Sequence, residues 1–266
     1  MSPESGVERI NHAEEVMGTV VTFDLFVASD TDRSEIHLTL SRARASLHRA
    51  DAIFSTWKPN SPMSLLRRGE TTLADAPVEI ADVLSRCEDA RDLTNGLFDP
   101  WALPGGVDPT GYVKGWAAQR ALDLFRPLPL IGAIVNAAGD IACFGAPEPD
   151  GRFRFGIVDP GARGRLAAIA EIDAALATSG TQERGEHLFD PRTGSFHAMA
   201  ASASVAGKDL GLADALATAL CVEGEEGLAL LEELPDYEAY LVTRSGEHRY
   251  TSNFPFADDT RPDTPR

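Results

Sequence analysis

The sequence predicts an α+β fold, with an antiparallel sheet at its core and helices packed against it early and late in the chain. Apolar residues recur at helical spacing over residues 34–54 and 77–94. The region 131–205 instead holds short apolar runs separated by Gly, Pro and Asp, which is typical of strands. Helical patterns return at 211–221 and 225–234, so helices cluster on both sides of a β region, as in α+β domains.

Length and composition limit the possible protein classes. The chain has 266 residues, of which 43% are hydrophobic, enough for one large globular domain or two small ones. Its formal net charge is −17. A protein that binds nucleic acid by neutralising phosphates would carry the opposite charge, so no nucleic-acid partner is expected. For an anionic small ligand, this surplus requires a metal, a locally placed lysine or a helix N-terminus in the site.

The cysteines and the N-terminus bear on the location of the protein. Cys87, Cys143 and Cys221 are far apart and form no CxxC or Cys/His cluster, so neither a disulfide framework nor a structural zinc site is expected. The first residues are polar and acidic, without a basic stretch followed by an apolar run, and no segment is apolar enough to span a membrane. We therefore expect a cytoplasmic protein without membrane insertion.

We expect one globular domain between two unstructured ends. Residues 1–16 are assigned to a flexible N-terminus and residues 17–256 to a single domain. The tail, residues 257–266, is polar, contains two prolines and is predicted to be disordered.

Strand and helix patterns follow in order along the N-terminal half. Residues 20–27 alternate in polarity and predict a strand, which an amphipathic helix over 34–54 follows. A Pro-, Asn- and Ser-rich loop, 54–61, carries Trp57. A second helix is predicted over 77–94.

The segment 103–115 is the most loop-like part of the centre, and residues 116–125 are predicted to form a helix. Gly-rich backbone ahead of a helix N-terminus, with Lys114 at the junction, is typical of an anion-binding loop. The GxxxxGK[ST] order of a P-loop is absent. An ordinary turn into a helix is the open alternative.

The C-terminal half is predicted to be mainly strands. The strand candidates are 131–136, 141–144, 152–158, 166–172 and 199–205, and residues 136–140 form a turn between the first two. After the two later helices, residues 238–243 and 248–252 predict a final hairpin.

One of the late helices carries an informative pair of polar residues. Residues 213–220 read Ala-Asp-Ala-Leu-Ala-Thr-Ala-Leu, an apolar run of strong helix formers that should be buried on most faces. Asp214 and Thr218 are its only polar side chains, and they lie on one face, one helical turn apart. Two hard oxygen ligands at this spacing suit one Mg²⁺ ion. The structural alternative is that Asp214 caps the helix and Thr218 bonds back to a carbonyl one turn earlier.

A second polar cluster precedes this helix. Residues 178–180, Thr-Ser-Gly, end a predicted strand, and the segment 187–194 then places His187, Asp190 and Arg192 in a turn bounded by Pro and Gly. Functional residues are common in such loops. The alternative is a structured turn in which Asp190 accepts backbone N–H groups, Arg192 pairs with it and His187 is exposed.

Together these segments resemble the ApbE-type flavin transferases (FAD:protein FMN transferases), from Met17 to about Asn253. The matching blocks follow the family order: 17–19, 54–57 with 60–61, 96–99, 108–115, 136–140, 178–180, 187–194 and 214–218. No block is specific alone, and the resemblance rests on their order and spacing. The chain departs from the family in a shorter segment between Gly180 and His187 and in Trp57, where Tyr is usual.

The resemblance implies an ApbE/T-fold-like domain and a Mg²⁺-dependent enzyme. Such an enzyme takes FAD as substrate, cleaves its pyrophosphate and attaches FMN through a phosphoester to a threonine of an acceptor protein. The metal would be held by the side chains of Asp214 and Thr218 and the main-chain carbonyl of Gly111. His187 and Asp214 would be catalytic, with His187 the candidate base for the threonine hydroxyl. The residues implied to contact FAD are Met17, Trp57, Leu97, Phe98, Asp99, Asp108, Lys114 and Phe189.

Two other functions remain open on the residues alone. A FAD pyrophosphatase would use the same metal but transfer the phosphoryl group to water, releasing FMN and AMP. A non-catalytic FAD-binding module would keep the fold with altered chemistry, although Asp214, Thr218 and His187 are all present.

Overall fold

The computed structural model contains an eight-stranded sheet in which all neighbouring strands are antiparallel. The structure describes residues 6–147, 151–162, 164–181, 188–257 and 260–262. The strands are β1 (Val7–Val16), β2 (Thr19–Ala28), β3 (Gly132–Ala137), β4 (Asp140–Gly145), β5 (Phe153–Val158), β6 (Leu166–Ile172), β7 (Ala175–Gly180), β8 (Phe189–Asp190), β9 (Ser195–Phe196), β10 (Ala200–Gly207), β11 (Tyr237–Thr243) and β12 (His248–Tyr250). The large sheet has the order β1-β2-β3-β4-β7-β10-β11-β12, and β5-β6 and β8-β9 form separate pairs.

Six α-helices accompany these strands in the described part of the chain. They are α1 (Ser34–Phe54), α2 (Pro62–Arg67), α3 (Val78–Leu93), α4 (Thr110–Asp123), α5 (Leu210–Glu223) and α6 (Leu228–Glu233), with a 3-10 turn at Gly224–Gly227. The predicted helix over 34–54 coincides with α1, and the second predicted helix matches α3 within one residue at each end. None of the helices in the described ranges is long and apolar enough to cross a membrane.

The two faces of the sheet bury different partners. Alternate residues of β2, such as Phe23 and Leu25, join one large core with apolar residues of α1, α3, α4 and α5. The opposite face, which includes Phe26 and Tyr240, packs against the β5-β6 pair and the C-terminal Phe254. The helices and the strand pair therefore cover opposite sides of one sheet, and any site on α4 or α5 belongs to the helical side.

The N-terminus differs from the prediction of a flexible segment over residues 1–16. Residues 7–16 form β1, which pairs with β2 along its whole length. The sequence pattern does not indicate this strand, because the residue at one of its inward-facing positions, Glu14, is charged. Its carboxylate is paired with Arg44 and His48 of α1 and with His12 of the same strand, at 2.5, 2.6 and 2.8 Å. These contacts make an inward-facing carboxylate compatible with a buried strand.

Two further elements differ from the prediction. Helix α2 lies in a region for which no helix was predicted, and α4 begins at Thr110 rather than at residue 116. The prediction of a disordered tail is also wrong in part. The Ala257 N–H and the Thr260 hydroxyl both donate to the carbonyl of Ile169 on β6, at 2.9 and 3.2 Å. Residues 258–259 and 263–266 lie outside the described part of the tail.

Candidate active site between helices α4 and α5

Helix α5 forms the centre of the site because it is buried on nearly every side. The Asp209 carboxylate accepts the Leu212 N–H at 2.8 Å and caps the helix, so Asp214 is not needed as a cap. Asp214 itself is only 4% exposed. One turn later, the Thr218 hydroxyl lies 3.2 Å from the Ser179 hydroxyl of β7. Asp214 is buried and Thr218 is half-buried, and the helical face that carries them is directed toward α4 and the sheet.

Within the described part of the chain, one oxygen of the buried Asp214 carboxylate lacks a hydrogen bond that would stabilise its charge. Its Oδ2 atom has no hydrogen-bond partner among the described residues. Burial raises the pKa of Asp214 well above its ordinary value, and the neighbouring Asp140 carboxylate raises it further. Lys114 and the N–H of Gly115 oppose this shift without cancelling it. A buried carboxylate with an unused oxygen beside a second carboxylate is an environment that a cation would stabilise.

Two glycines of α4 allow it to approach α5 closely. A Cβ on Gly115 would lie 2.4 Å from the carbonyl oxygen of Leu210, so a side chain here would force the two helices apart. A Cβ on Gly111 would lie 3.9 Å from Thr218 Oγ1 and 3.3 Å from the ring of Phe98. The structure thus brings Gly111, Thr218 and Phe98 together, although they are far apart in the sequence.

Lys114 forms an ion pair with a fully buried carboxylate. Its Nζ lies 2.5 Å from Asp140 Oδ2, and the Lys114 side chain is 29% exposed whereas that of Asp140 is 0% exposed. The other oxygen, Asp140 Oδ1, accepts the Thr178 N–H at 3.1 Å. The ammonium group is therefore held at the inner end of the site while part of its side chain still reaches solvent.

The oxygen atoms around Asp214 fit a hard divalent cation. Carboxylate, hydroxyl and main-chain carbonyl oxygens are ligands that Mg²⁺ accepts, and Mg²⁺ usually keeps several waters besides. Gly111 lies in the first turn of α4, where its carbonyl enters the helical hydrogen-bond pattern but retains a second lone pair. No group of three or more His, Cys, Asp or Glu side chains within the described ranges is arranged to hold a metal. A metal here would depend on one carboxylate with mixed oxygen ligands.

Several N–H groups at the start of α4 are bonded within the chain. The Asp108 carboxylate accepts the Thr110 N–H at 3.1 Å, and the Pro109 carbonyl accepts the N–H groups of Tyr112 and Val113 at 2.9 and 3.0 Å. These three N–H groups are bonded as in an ordinary turn into a helix, which is the alternative interpretation of this segment. Lys114, in the second turn of α4, remains the candidate cation here.

The residues expected to contact FAD occupy three places. Phe98 is buried against Gly111, between Leu97 and Asp99, whose carboxylate accepts the Trp101 N–H at 2.9 Å. Asp108 follows a few residues later in the chain, just before α4. This group lies close to α5, because Gly111 is near both the Phe98 ring and the Thr218 hydroxyl of α5.

Met17 and Trp57 lie in the second of these three places. Met17 has a φ of 55° in the tight turn between β1 and β2 and lines a cavity of about 460 Å³ with Asp51. Asp51 pairs with Lys58 at 2.5 Å, which links this cavity to the loop that carries Trp57. Trp57 is 92% exposed, so its ring offers a free aromatic face.

Phe189 defines the third place, on β8. Its ring packs edge-on against Phe196 with centroids 5.3 Å apart. In the same turn Asp190 is buried and accepts the Arg192 backbone N–H at 2.9 Å, as the structured-turn interpretation expects. The predicted catalytic His187 lies outside the described residues, so its position is not part of this geometry.

Comparison with known proteins identifies the family. A model of the ApbE family matches residues 17–105 and 103–241, which together make up most of the chain. The chain belongs to the ApbE family.

Two curated relatives of this ApbE-family chain are both named FAD:protein FMN transferase. The one from Rhodobacter capsulatus is 34% identical over 129 residues, which are 45% of this chain and 24% of the relative. The one from Vibrio cholerae serotype O1 is 31% identical over 140 residues, which are 47% of this chain and 41% of the relative. The matched segments thus span less than half the length of either relative.

Solved structures with the same fold cover nearly the whole chain. The flavin transferase ApbE from Vibrio cholerae matches with a TM-score of 0.78 and 20% identity, covering 94% of this chain and 99% of that one. The ApbE protein from Thermotoga maritima matches with a TM-score of 0.77 and 20% identity, covering 92% and 97%. These likenesses confirm the predicted α+β fold with its antiparallel sheet.

The structure of this ApbE-family chain adds two residues that sequence reasoning missed. Arg67 of α2 bonds to the Asp108 carboxylate at 2.9 Å and approaches the carbonyls of Pro104 and Gly105. Asp140, the last residue of the turn and of the matching block 136–140, contacts both Lys114 and Asp214. No local sequence signal indicates these contacts, because the partners are tens of residues away.

Proposed function

We propose that this chain is a Mg²⁺-dependent FAD:protein FMN transferase. It would cleave the pyrophosphate of FAD and attach FMN through a phosphoester to a threonine of an acceptor protein. Membership of the ApbE family and the names of the two curated relatives support this class of activity. We also propose a cytoplasmic location for the chain, as its cysteine pattern suggests.

One observation carries the metal dependence: a carboxylate oxygen of Asp214 is buried without a hydrogen-bond partner, one turn before Thr218. Keeping such a group in a structural core would be unfavourable, and a cation would remove the penalty. In this proposal Asp214, Thr218 and the Gly111 carbonyl hold Mg²⁺. The ion would stabilise the negative charge that develops on the pyrophosphate oxygens during cleavage.

The residues of the chain would then bind and orient the reacting groups. Lys114 donates a hydrogen bond to a phosphate oxygen of FAD, and Trp57 stacks on one of its ring systems. His187 accepts the proton of the acceptor threonine hydroxyl on an imidazole nitrogen. The threonine oxygen bonds to the phosphorus of the FMN half as the bond from that phosphorus to the bridging oxygen breaks, and AMP leaves.

The test does not require a known acceptor. The purified chain is incubated with FAD and Mg²⁺, alone and with a soluble extract of the source cells. Protein-bound flavin is followed by in-gel fluorescence after denaturation, and the labelled peptide is sequenced by mass spectrometry. We expect a fluorescent band whose peptide carries one FMN on a threonine, and no band with Asp214→Ala or with EDTA.

Two outcomes would overturn the proposal. Free FMN and AMP with no labelled protein would identify a FAD pyrophosphatase. FAD that binds but stays intact with saturating Mg²⁺ and extract would identify a binding module.

A further inference from the structure

Asp140 occupies a position that its role in the turn does not explain. The turn between β3 and β4 is already closed without it, because the Asn136 side chain accepts the Gly139 N–H at 2.8 Å. Asp140 is nevertheless 0% exposed, which is unusual for an Asp unless it has partners. Its side chain lies beneath the contact between α4 and α5.

The two oxygens of Asp140 have different partners. Oδ1 accepts the Thr178 N–H at 3.1 Å and ties β4 to β7 beyond their paired residues, which end at Ile141 and Leu176. Oδ2 lies 2.5 Å from Lys114 Nζ. The same side chain also contacts the Asp214 carboxylate. One oxygen therefore connects strands, while the other faces the charged groups of the site.

We propose that Asp140 is a positioning residue of the active site, which fixes the Lys114 ammonium for the FAD phosphates and supports divalent-cation binding at Asp214. This inference rests on the function proposed above. A lysine has several rotatable bonds, so an ammonium that is not anchored would occupy many positions and bind a phosphate less well. Asp140 limits that freedom and supplies a second negative charge next to the Asp214 carboxylate.

The positioning role and a structural role predict different results for Asp140→Asn. Asparagine has the same shape, and its carbonyl oxygen can still accept the Thr178 N–H. It lacks the charge that holds Lys114 and favours a cation. A structural role would survive this change, whereas a positioning role would not.

The experiment compares the wild-type chain, Asp140→Asn and a control, Asp24→Asn. Asp24 of β2 also pairs with a basic residue, Arg9 at 2.8 Å, but it faces the side of the sheet opposite to Phe23 and the helices. Mn²⁺ is titrated into each protein, and the concentration of unbound Mn²⁺ is measured by electron paramagnetic resonance. Melting temperature and the KM for FAD in the transfer assay are measured on the same samples.

We expect Asp140→Asn to bind Mn²⁺ about 10–100-fold more weakly, the usual effect of losing a group that orients a metal ligand. The KM for FAD should rise as well, while the melting temperature stays close to wild type. Asp24→Asn should match wild type in Mn²⁺ affinity and KM. Lys114→Met should raise the KM for FAD, and adding Asp140→Asn to it should change that KM little, because the two residues act as a unit.

Wild-type Mn²⁺ affinity and a wild-type KM for FAD in Asp140→Asn would overturn the inference, whatever the melting temperature of the variant. Because the Asn variant can retain the Thr178 bond, a loss of Mn²⁺ affinity at an unchanged melting temperature is not caused by unfolding. Should the wild-type chain transfer no FMN, the proposed function fails, and the Mn²⁺ titration still tests Asp140 separately.

Discussion

At the scale of single residues, Asp214 combines burial with an unused carboxylate oxygen. Such a group contributes little to stability, because hydrogen bonds offset its desolvation only in part. We predict that Asp214→Ala abolishes Mg²⁺-dependent turnover while the melting temperature without metal stays equal or rises. Transfer assays and thermal unfolding in EDTA check both parts. Normal turnover, or a chain that no longer folds, would show that Asp214 is a structural residue instead.

His187 is the second residue on which the mechanism depends. If it is the base for the acceptor threonine, His187→Ala should slow transfer by about 10²–10⁴-fold with little change in FAD affinity. Single-turnover kinetics and a FAD titration separate the two effects. Loss of FAD affinity with intact turnover would make His187 a ligand contact.

The four-residue spacing of Asp214 and Thr218 is enough to predict that both lie on one helical face. Their surroundings are not predictable in the same way. Asp140 approaches Asp214 through the pairing of β4 with β7, and sequence patterns carry no information on which distant carboxylate will face a helix. The contact between Gly111 and Thr218 likewise depends on how α4 and α5 pack.

At the scale of elements, the contact between α4 and α5 holds Lys114 and Asp214 near each other. In an isolated helix Gly→Ala is stabilising by about 1 kcal/mol. At Gly115 we predict the opposite sign, a loss of about 1–3 kcal/mol, because the new Cβ would meet the Leu210 backbone. Transfer activity should also fall as the helices separate.

Urea unfolding of Gly115→Ala checks this prediction, with Gly111→Ala as a matched control for stability. A Cβ at Gly111 meets only side-chain atoms, the ring of Phe98 at 3.3 Å being the nearest, so a smaller loss is expected there. A Gly115→Ala variant more stable than wild type would contradict the close packing of α4 and α5. The same packing explains why α4 begins before residue 116, since tertiary contacts override the low helix propensity of its glycines.

The connection between β1 and α1 should be sensitive to acid. Hydrogen bonds from Arg44, His12 and His48 lower the pKa of Glu14 from 4.5 to about 2. Because the folded-state pKa is depressed, the stabilisation is complete above about pH 4.5 and is lost as the pH falls toward 2. Glu14→Gln should be less stable at neutral pH and should lose less stability over that window. Unfolding free energies from pH 2 to 6 check this, and parallel curves for the two chains would contradict it.

At the scale of the whole molecule, the sheet separates the side that carries α4 and α5 from the side that carries the β5-β6 pair. Phe254 is 5% exposed and packs with Phe256 and Tyr240 on the side away from α5, with ring centroids 4.8 and 5.7 Å apart. Phe254→Ala should cost about 3–5 kcal/mol in unfolding free energy. At temperatures where the variant stays folded, its transfer rate should equal wild type. A large loss of rate without unfolding would mean that the two sides are coupled.

The parts of the fold that give a regular spacing of apolar residues could be predicted from the sequence. Regular patterns marked α1, α3 and most strands, and their grouping indicated the α+β class. Strand β1 was missed because Glu14, on its inward face, is charged and is balanced by residues of α1 that only the fold brings near. The tail was missed in part because Thr260 is held by the main-chain N–H and carbonyl of Ile169 on β6, for which polar composition gives no signal.

The central claim is that a divalent cation binds on α5 at Asp214 and Thr218, where FAD is cleaved. The most direct measurement is an anomalous difference map from crystals of the chain grown with Mn²⁺ and FAD. The account predicts one strong peak in contact with the Asp214 carboxylate and the Thr218 hydroxyl, next to the FAD phosphates. A peak elsewhere with these two residues unliganded, or no peak at saturating Mn²⁺ with FAD bound, would contradict it.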